Sequence, residues 1–543
     1  MSSINSDSQQ PYEVIVLGAG VGGIYQIKRL TDLGISSILL ETEADLGGTW
    51  YRNRYPGSRF DSESYTYGYS FSQELLDEWH WKERFSPQPE NLRYLNYVAD
   101  KFDLRKHMRF NSRVVSMQWD EDANLWHLFL EDGTEFKSWF VITTIGLLSA
   151  PTLPRIEGME TFAGEAHHTF YWPSEPVPME GRKVGVIGTG ATGIQVIAEI
   201  ADKVGELWVF QRRPNWSAPL NNSPISEEEM ADIRSRYPEI LARCDRTPGS
   251  FEHEPDRRGF WNVSREERLE LWDRLYDEPG FGIWLQNFTE IFTDDEANAE
   301  FSAYIADRIR QRVDDPEVAE KLIPKDHGFG VQRVPLETHY FEAFNRDNVH
   351  LVDLLETPIE RIVPEGVQTT DHTYPLDLLV YATGFDAVTG AFDRIDIQGV
   401  NGDKLATKWA DGPSTYLGIG IHGFPNMMMV AGPQSASSTS NFPRGIERLV
   451  DWITDAVVHF RNSGVRRVEA SAQSEAEWTQ HIEDLYQPML MKRAQGWFTG
   501  YNSNVEGHGQ GTVRYVVYNG GAPKYAKLLG EIAQDGYRGF ETD

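Results

Sequence analysis

The chain has 543 residues, with 51 Lys and Arg against 82 Asp and Glu, a formal charge of −31, and one cysteine, Cys244. That length predicts about three domains. The acidity excludes nucleic acid and anionic lipid as partners, and the lone thiol excludes an internal disulfide or a Cys-x-x-Cys redox pair, so any redox chemistry belongs to a cofactor.

No apolar run is long enough to predict a membrane span. Met1 to Gln10 is polar and lacks a basic segment, so it reads as a frayed tail rather than a secretory signal, and the expected compartment is the cytoplasm. Glu13 to Leu17 then reads as a short buried strand, followed by the turn Gly18-Ala-Gly20-Val-Gly-Gly23. Ile24, Ile27 and Leu30 recur at helical spacing, and a second strand, Ile35 to Leu40, ends in Glu41. Glycines at a strand-to-helix turn let the backbone approach a pyrophosphate at the helix N-terminus. An acid at the next strand end accepts hydrogen bonds from ribose hydroxyls and repels a 2′-phosphate, so this site fits FAD or NAD.

The run from Gly47 to Asp61, rich in Gly, aromatics and Arg, reads as an ordered loop. Met108 to Trp139 alternates apolar and polar residues and reads as an antiparallel meander. Phe140 to Gly146 gives another buried strand, and Pro151 and Pro154 mark a boundary. Phe162 to Pro173 is too polar for a buried strand and reads as an aromatic-rich ordered linker.

A second turn follows the strand Lys183 to Ile187, with Gly188, Thr189, Gly190, Thr192 and Gly193, before a helix from Ile194 and a strand Leu207 to Phe210. Here the strand ends in Gln211-Arg212-Arg213 rather than an acid. Arg212 and Arg213 can pair with a 2′-phosphate. The contrast with Glu41 predicts two unlike nucleotides, FAD first and NADPH second.

From about Pro219 to Pro324 the pattern becomes acidic amphipathic helices. Ser226 with Glu229, Ser264 with Glu267, and Thr293 with Glu296 read as capping boxes, and Asp315-Pro316 as a cap with Pro at the first helical position. The aromatics Trp261, Trp272, Phe281, Trp284 and Phe288 read as core and interface rather than cofactor contacts, with a substrate entrance the alternative for some of them. Past Gly328 to Glu337, Phe344 to Asp353 reads as helix end, turn and strand. Tyr374 to Asp386 reads as a strand leaving through Thr383-Gly384 back to the first domain, and Phe424 to Pro433 as a further strand. A small-residue loop, Gln434 to Asn441, precedes a helix from Arg444 to Phe460; another helix starts at Ser474 with Glu477. Trp497 opens a mobile, glycine-rich loop through Gly511.

The expected fold is α/β, with two Rossmann-like dinucleotide-binding domains and a mainly helical insert. The FAD domain covers 1–150 and 382–543, the NADP domain 151–218 and 329–381, and the insert 219–328.

The spacing Phe162, Gly164, His168, Trp172, Pro173 resembles the fingerprint of Baeyer–Villiger monooxygenases, the class B flavoprotein monooxygenases, and other motifs match outside roughly 220–325. The resemblance implies FAD and NADPH as cofactors, and conversion of ketones to esters or lactones with O2 through a peroxyflavin. It places Thr49, Trp50, Asp61 and Tyr67 near the flavin, and Arg59, Gln332, Arg333 and Trp497 toward NADP. It assigns catalysis to Arg333, positioned by Asp61: a guanidinium stays protonated at any working pH and can hold the peroxide anion and the tetrahedral adduct. Many relatives have Lys where this chain has Gln332, which weakens the expected preference for NADPH. The residues after Gly500 also differ from the cyclohexanone-type pattern. No metal site is assigned. The alternatives are an N- or S-oxygenating flavin monooxygenase and a nucleotide-binding flavoprotein without catalysis.

Overall fold

The computed structural model describes residues 10–508 and 513–543, without side chains at 437 and 438. The expected tail (1–9) and part of the glycine-rich run (509–512) lie outside the described residues.

Two sheets organise the chain. The first has eight strands. Tyr12–Leu17 lies between Ser37–Leu40 and Glu135–Thr143, parallel to both, with Val14 level with Ser37 and Phe140. Four consecutive buried residues, Val14 to Leu17, mark a strand covered on both faces. The separate strand expected at Phe140 is instead the inner half of Glu135–Thr143. Ser138 is where its neighbours change: it pairs with Trp126 of the antiparallel meander and with Tyr12 of the parallel core. Burial becomes continuous beyond it, which is why the sequence looked like two strands.

The second sheet is all parallel, in the order Val349–Asp353, Glu206–Gln211, Lys183–Ile187, Leu378–Tyr381, Glu165–His168. Its last strand corrects the reading of 162–173 as linker alone. Glu165–His168 is an edge strand, and only His168 of its four residues is buried, so it tolerates polar side chains. The Tyr374 stretch also divides: Thr373–Pro375 joins a small antiparallel sheet, and Leu378–Tyr381 enters the parallel one.

The two segments that cross between the sheets hold each other. Thr152 N–H donates to the Gly384 carbonyl at 3.0 Å, Thr383 Oγ1 to the Thr152 carbonyl at 2.6 Å, and Asp386 N–H to the Ala150 carbonyl at 2.8 Å. The His168 ring meets Phe385 edge-on at 6.1 Å, so the fingerprint strand packs on this double crossing.

Between Glu206–Gln211 and Val349–Asp353 of the second sheet the chain forms the helices Glu227–Arg246, Arg265–Asp277, Asp295–Arg312 and Pro316–Leu322. Ser264 and Glu267 form a complete capping box. Ser226 accepts from Glu229 N–H, but the Glu229 carboxylate turns to Arg84 at 2.7 Å instead of closing the box. At the third helix the cap is Asp294, not Thr293: one carboxylate oxygen takes both the Glu296 and Ala297 N–H groups, and a charged acceptor outcompetes a hydroxyl. Asp315 caps as expected. The late helix begins at Ala472, capped by Ser471, leaving Ser474 inside its first turn.

Trp272, Phe301 and Phe329 share a core with the second sheet. Glu227–Arg246 instead buries Met230, Ile233, Tyr237 and Ile240 with Leu75 and Trp81 on the first-sheet side. Such fully buried side chains each contribute roughly 1.5–3 kcal/mol. Helix Phe442–Asn462 closes that core against Val21–Asp32, tied by Gln26 to Thr454 at 2.8 Å and Tyr25 to Asp451 at 2.7 Å. Among the described residues no helix is long and apolar enough to cross a membrane.

Candidate active site

A cavity of about 790 Å³ runs from the first glycine turn to Arg333 and Trp497. At one end the backbone forms a narrow slot. Gly18 has φ +98°, and a Cβ there would come within 2.8 Å of the Thr144 carbonyl oxygen. At Gly23 a Cβ would collide with the Gly18 carbonyl, and at Gly48 it would reach 2.8 Å from Gly20 Cα. Two backbone turns therefore face each other at the start of helix Val21–Asp32. Glu41 lines the same slot. Its carboxylate accepts from Ala19 N–H at 2.6 Å and Glu43 N–H at 2.8 Å, and burial raises its pKa above the usual value. Two of about four lone-pair sites are used, so acceptor capacity for ribose hydroxyls remains. These residues fit FAD.

Thr49, Trp50 and Tyr67 line the middle of the cavity. Trp50 Nε1 donates to Tyr67 Oη at 2.9 Å, and the Tyr67 ring stacks on Phe60 at 4.3 Å, fixing an aromatic wall. Beyond it stands Arg333. Its Nη2 donates to Asp61 Oδ1 at 2.6 Å and its Nη1 to the Val334 carbonyl at 2.9 Å. Asp61 is buried behind the arginine, while the guanidinium reaches the cavity wall. The Phe281 ring packs against the guanidinium, 5.3 Å from centroid to Cζ. Phe281 and Trp284, both expected in core or interface, line the cavity; Trp272 and Phe288 are core, and Trp261 is exposed. Thr439 and Ser440 of the small-residue loop complete this end.

The second turn opens beside this cavity. At Gly188 a Cβ would lie 2.4 Å from the Ala382 carbonyl, and at Gly193 2.1 Å from the Gly188 carbonyl. Gly190, at the N-terminus of helix Ala191–Ile200, has nothing within 4 Å of a Cβ, so its N–H face is open to an anion. Thr189 Oγ1 donates to the Arg213 carbonyl at 2.8 Å, joining the turn to the strand end that carries the arginines; Thr192 sits in the helix's first turn. Arg212 donates to Ser503 Oγ at 2.8 Å and Arg213 to Gln495 Oε1 at 2.6 Å. Both of these partners are neutral, and the one carboxylate near Arg213, Asp326, stands at 3.8 Å, so the pair of arginines keeps positive charge for a phosphate and the residues fit NADP. Gln332 Nε2 donates to the Gln495 carbonyl at 3.1 Å, just before Trp497, which lines the cavity.

Arg59, expected toward the nicotinamide nucleotide, sits beside the second-turn helix. Its Nη1 is engaged by Glu83 at 3.1 Å and the Phe85 carbonyl at 2.9 Å, while its own carbonyl accepts from Gln195 of the second-turn helix. The fingerprint residues stand outside the cavity. Phe162 packs under Gly164, His168 and Trp172 are buried, and Pro173 edges a surface cleft. His168 Nδ1 accepts from Phe170 N–H at 3.1 Å, and burial lowers its pKa to about 4, so it is neutral. Sequence reasoning missed Gln495 and Ser503 as site residues and did not single out Phe281 among the insert aromatics. A lone aromatic in a helical insert and two polar residues in a loop carry no motif.

The Flavin-binding monooxygenase-like family matches residues 12–222. The chain is 43% identical over 535 residues to 2-oxo-Delta(3)-4,5,5-trimethylcyclopentenylacetyl-CoA monooxygenase of Pseudomonas putida, covering 97% of this chain and 98% of that one. It is 38% identical to cyclohexanone 1,2-monooxygenase of Acinetobacter sp, covering 98% and 96%. A crystal structure of OTEMO in complex with FAD and NADP superposes with a TM-score of 0.95 at 43% identity, covering 98% of this chain and 100% of that one.

Proposed function

Because the chain belongs to the Baeyer–Villiger monooxygenases, we propose that Arg333, held by Asp61, is its reacting centre and that its substrate is a cyclic ketone with apolar bulk. The enzyme converts ketones to esters or lactones with O2, using FAD and NADPH. The observation that carries the reading is the Arg333–Asp61 ion pair on the wall of the cavity that begins at the first glycine turn.

Bound FAD would supply the redox and oxygen chemistry and NADPH the reducing equivalents; the chain supplies binding, orientation and charge. Gly18, Gly20, Gly23 and Glu41 hold the FAD nucleotide, and Thr49, Trp50 and Tyr67 border its ring. Gly188, Thr189, Gly190, Thr192 and Gly193 cradle the second pyrophosphate, and Arg212 and Arg213 take the 2′-phosphate. Gln332 and Trp497 close over the nicotinamide side, and the Arg59 backbone supports the second-turn helix. The Arg333 guanidinium stabilises the negative charge that develops on the ketone oxygen. Asp61 and Phe281 fix the direction of its guanidinium.

The substrate class rests on the cavity wall, where Phe251, Phe281, Trp284, Phe292 and Met491 present apolar surface, and on the trimethylcyclopentenyl and cyclohexanone substrates in the relatives' names. We assign the enzyme to the cytoplasm, without nucleic acid or membrane as a partner; the charge of −31 supports this. The test is product analysis with NADPH, air and a panel of substituted cyclopentanones and cyclohexanones. Lactone formed in step with NADPH oxidation is the expected result. Oxidation of amines or sulfides with every ketone recovered intact would favour the N- or S-oxygenating reading instead.

A further inference from the structure

Two residues beyond Asp61, Glu63 is buried in the same segment, with Oε2 lacking a hydrogen-bond partner. Its other oxygen, Oε1, is 2.9 Å from His253 Nε2. His253 is itself buried and borders the cavity, although it comes from the stretch between the first two helices of the insert. Its Nδ1 lies 3.2 Å from the Gln286 side-chain amide, directly after the short helix Gly282–Leu285 that follows Phe281; with both ring nitrogens protonated, Nδ1–H donates and the amide turns its oxygen to accept. One imidazole thus joins the loop carrying Asp61 to the cavity wall carrying Phe281.

The rings continue the connection. Phe251 is 6.2 Å from His253 and meets Phe281 edge-on at 5.3 Å, and Phe281 covers the Arg333 guanidinium. The backbone is shaped around the pair: Gly280 has φ +82°, and a Cβ there would stand 2.8 Å from Glu63 Oε1 and 3.0 Å from the Phe85 ring. Only glycine lets the Phe281 strand of chain pass so close to the carboxylate.

We propose that His253 is a positioning residue for the oxygenation step: as the cation of a buried pair with Glu63, it clamps the Phe251–Gln286 wall onto the Asp61 loop and so sets where Phe281 and Arg333 meet the ketone. This rests on the assignment of Arg333 and Asp61 as the reacting centre.

A buried carboxylate needs a cation. Burial alone would lower the His253 pKa, but the charge of Glu63 and their hydrogen bond outweigh it, and Glu252 and Glu278 add to the rise, so the imidazolium is favoured. Burial likewise raises Glu63, and His253 outweighs it, with Arg84 assisting, so that Glu63 stays ionised. The other groups on this face are Tyr65, Cys244 and Glu252: burial raises all three, Tyr65 bonds to Glu252, and Arg243 partly offsets the rise at Glu252. The clamp therefore holds between the lowered Glu63 pKa and the elevated His253 pKa; it opens as pH rises through the latter and is lost again in acid as Glu63 protonates. Deprotonation of His253 leaves Glu63 as an uncompensated buried charge.

The experiment uses the full-length holoenzyme and the cyclic ketone that the wild type turns over fastest in the panel above. H253Q keeps the shape and removes the cation, and the double variant H253Q/E63Q removes both charges. For H253Q we expect ketone kcat/KM to fall between about tenfold and a hundredfold, the scale of a misplaced reacting group. Hydrogen peroxide per NADPH should rise, and KM for NADPH and bound FAD should stay at wild-type values. The alkaline limb of ketone kcat/KM present in the wild type should vanish in both variants, and the double variant should recover part of the loss because no buried charge is stranded. Unaltered ketone kcat/KM in H253Q, equal losses toward ketone and NADPH, or an unchanged alkaline limb in a folded double variant would each overturn the proposal. Ester formation by the wild type separates the two readings: without it both fall, and with it an unaffected H253Q counts against the clamp alone.

Discussion

Arg333 and Asp61 are 272 residues apart in the chain and 2.6 Å apart in the fold. Asp61 ends the glycine- and arginine-rich loop after the first nucleotide turn; Arg333 follows the helical insert. Their contact ties the loop after the first nucleotide turn to the segment that follows the insert. The aspartate also lies 3.5 Å from Leu336 N–H, so its two oxygens face the chain on both sides of Val334.

Arg333→Ala removes the one group assigned to the developing charge. Loss of such a donor lowers the rate by roughly 10²–10³, so ester formation should fall by about that factor while NADPH-driven flavin reduction is less affected. Asp61→Asn keeps the shape but weakens the anchor and should give a smaller loss, about tenfold to a hundredfold. Steady-state ester yield, compared with anaerobic flavin reduction followed spectroscopically, separates the two steps.

Cofactor choice should respond to the second strand end. Arg212 donates to the neutral Ser503 and Arg213 to the neutral Gln495, with Asp326 at 3.8 Å from Arg213. Alanine at either should raise KM for NADPH about tenfold and leave KM for NADH nearly unchanged, as expected for a charge-assisted phosphate contact. Gln332→Lys should act oppositely, raising the NADPH:NADH ratio of kcat/KM by about threefold to tenfold. The ratio of the two kcat/KM values is the readout.

Gly18→Ala should purify largely without flavin. Its φ of +98° is strained for any residue with a Cβ, and that carbon would press on Thr144. Flavin absorbance per protein measures the loss. Gly190→Ala, where a Cβ meets nothing, should keep FAD and weaken only NADPH binding.

His168 should make the fold acid-sensitive. Its pKa is about 4 in the folded protein against 6.5 in an unfolded chain, so protons favour the unfolded state as pH falls through 6.5. Above that, the residue adds no penalty. Below it, stability falls until about pH 4, by about 3 kcal/mol in total. His168→Gln should flatten the dependence of Tm on pH between about 6.5 and 4.

Much of this architecture was legible because nucleotide turns combine local rules: a buried apolar strand, glycines where a Cβ would strike the backbone, and an acid or arginine at the next strand end. Ser264 and Asp315 obeyed cap chemistry for the same local reason. The misreadings came from longer range. Ser138 changes strand partners within one continuous strand, so a single element looked like two. Glu165–His168 is an edge strand and shows no apolar run. Asp294 displaced Thr293 because a carboxylate beside a hydroxyl wins the donors. The site itself was least visible: nothing in the spacing of Asp61, Phe281 and Arg333 says they meet, and Arg333 stood out only by resemblance.

The central claim is that oxygen from O2 is placed beside the carbonyl of a ketone. The direct measurement supplies NADPH and isotopically heavy oxygen gas to the enzyme with a cyclic ketone and weighs the product. The account predicts a lactone with one heavy oxygen atom for each NADPH consumed, in wild type and not in Arg333→Ala. Ketone recovered unlabelled, with hydrogen peroxide released in step with NADPH, would contradict it.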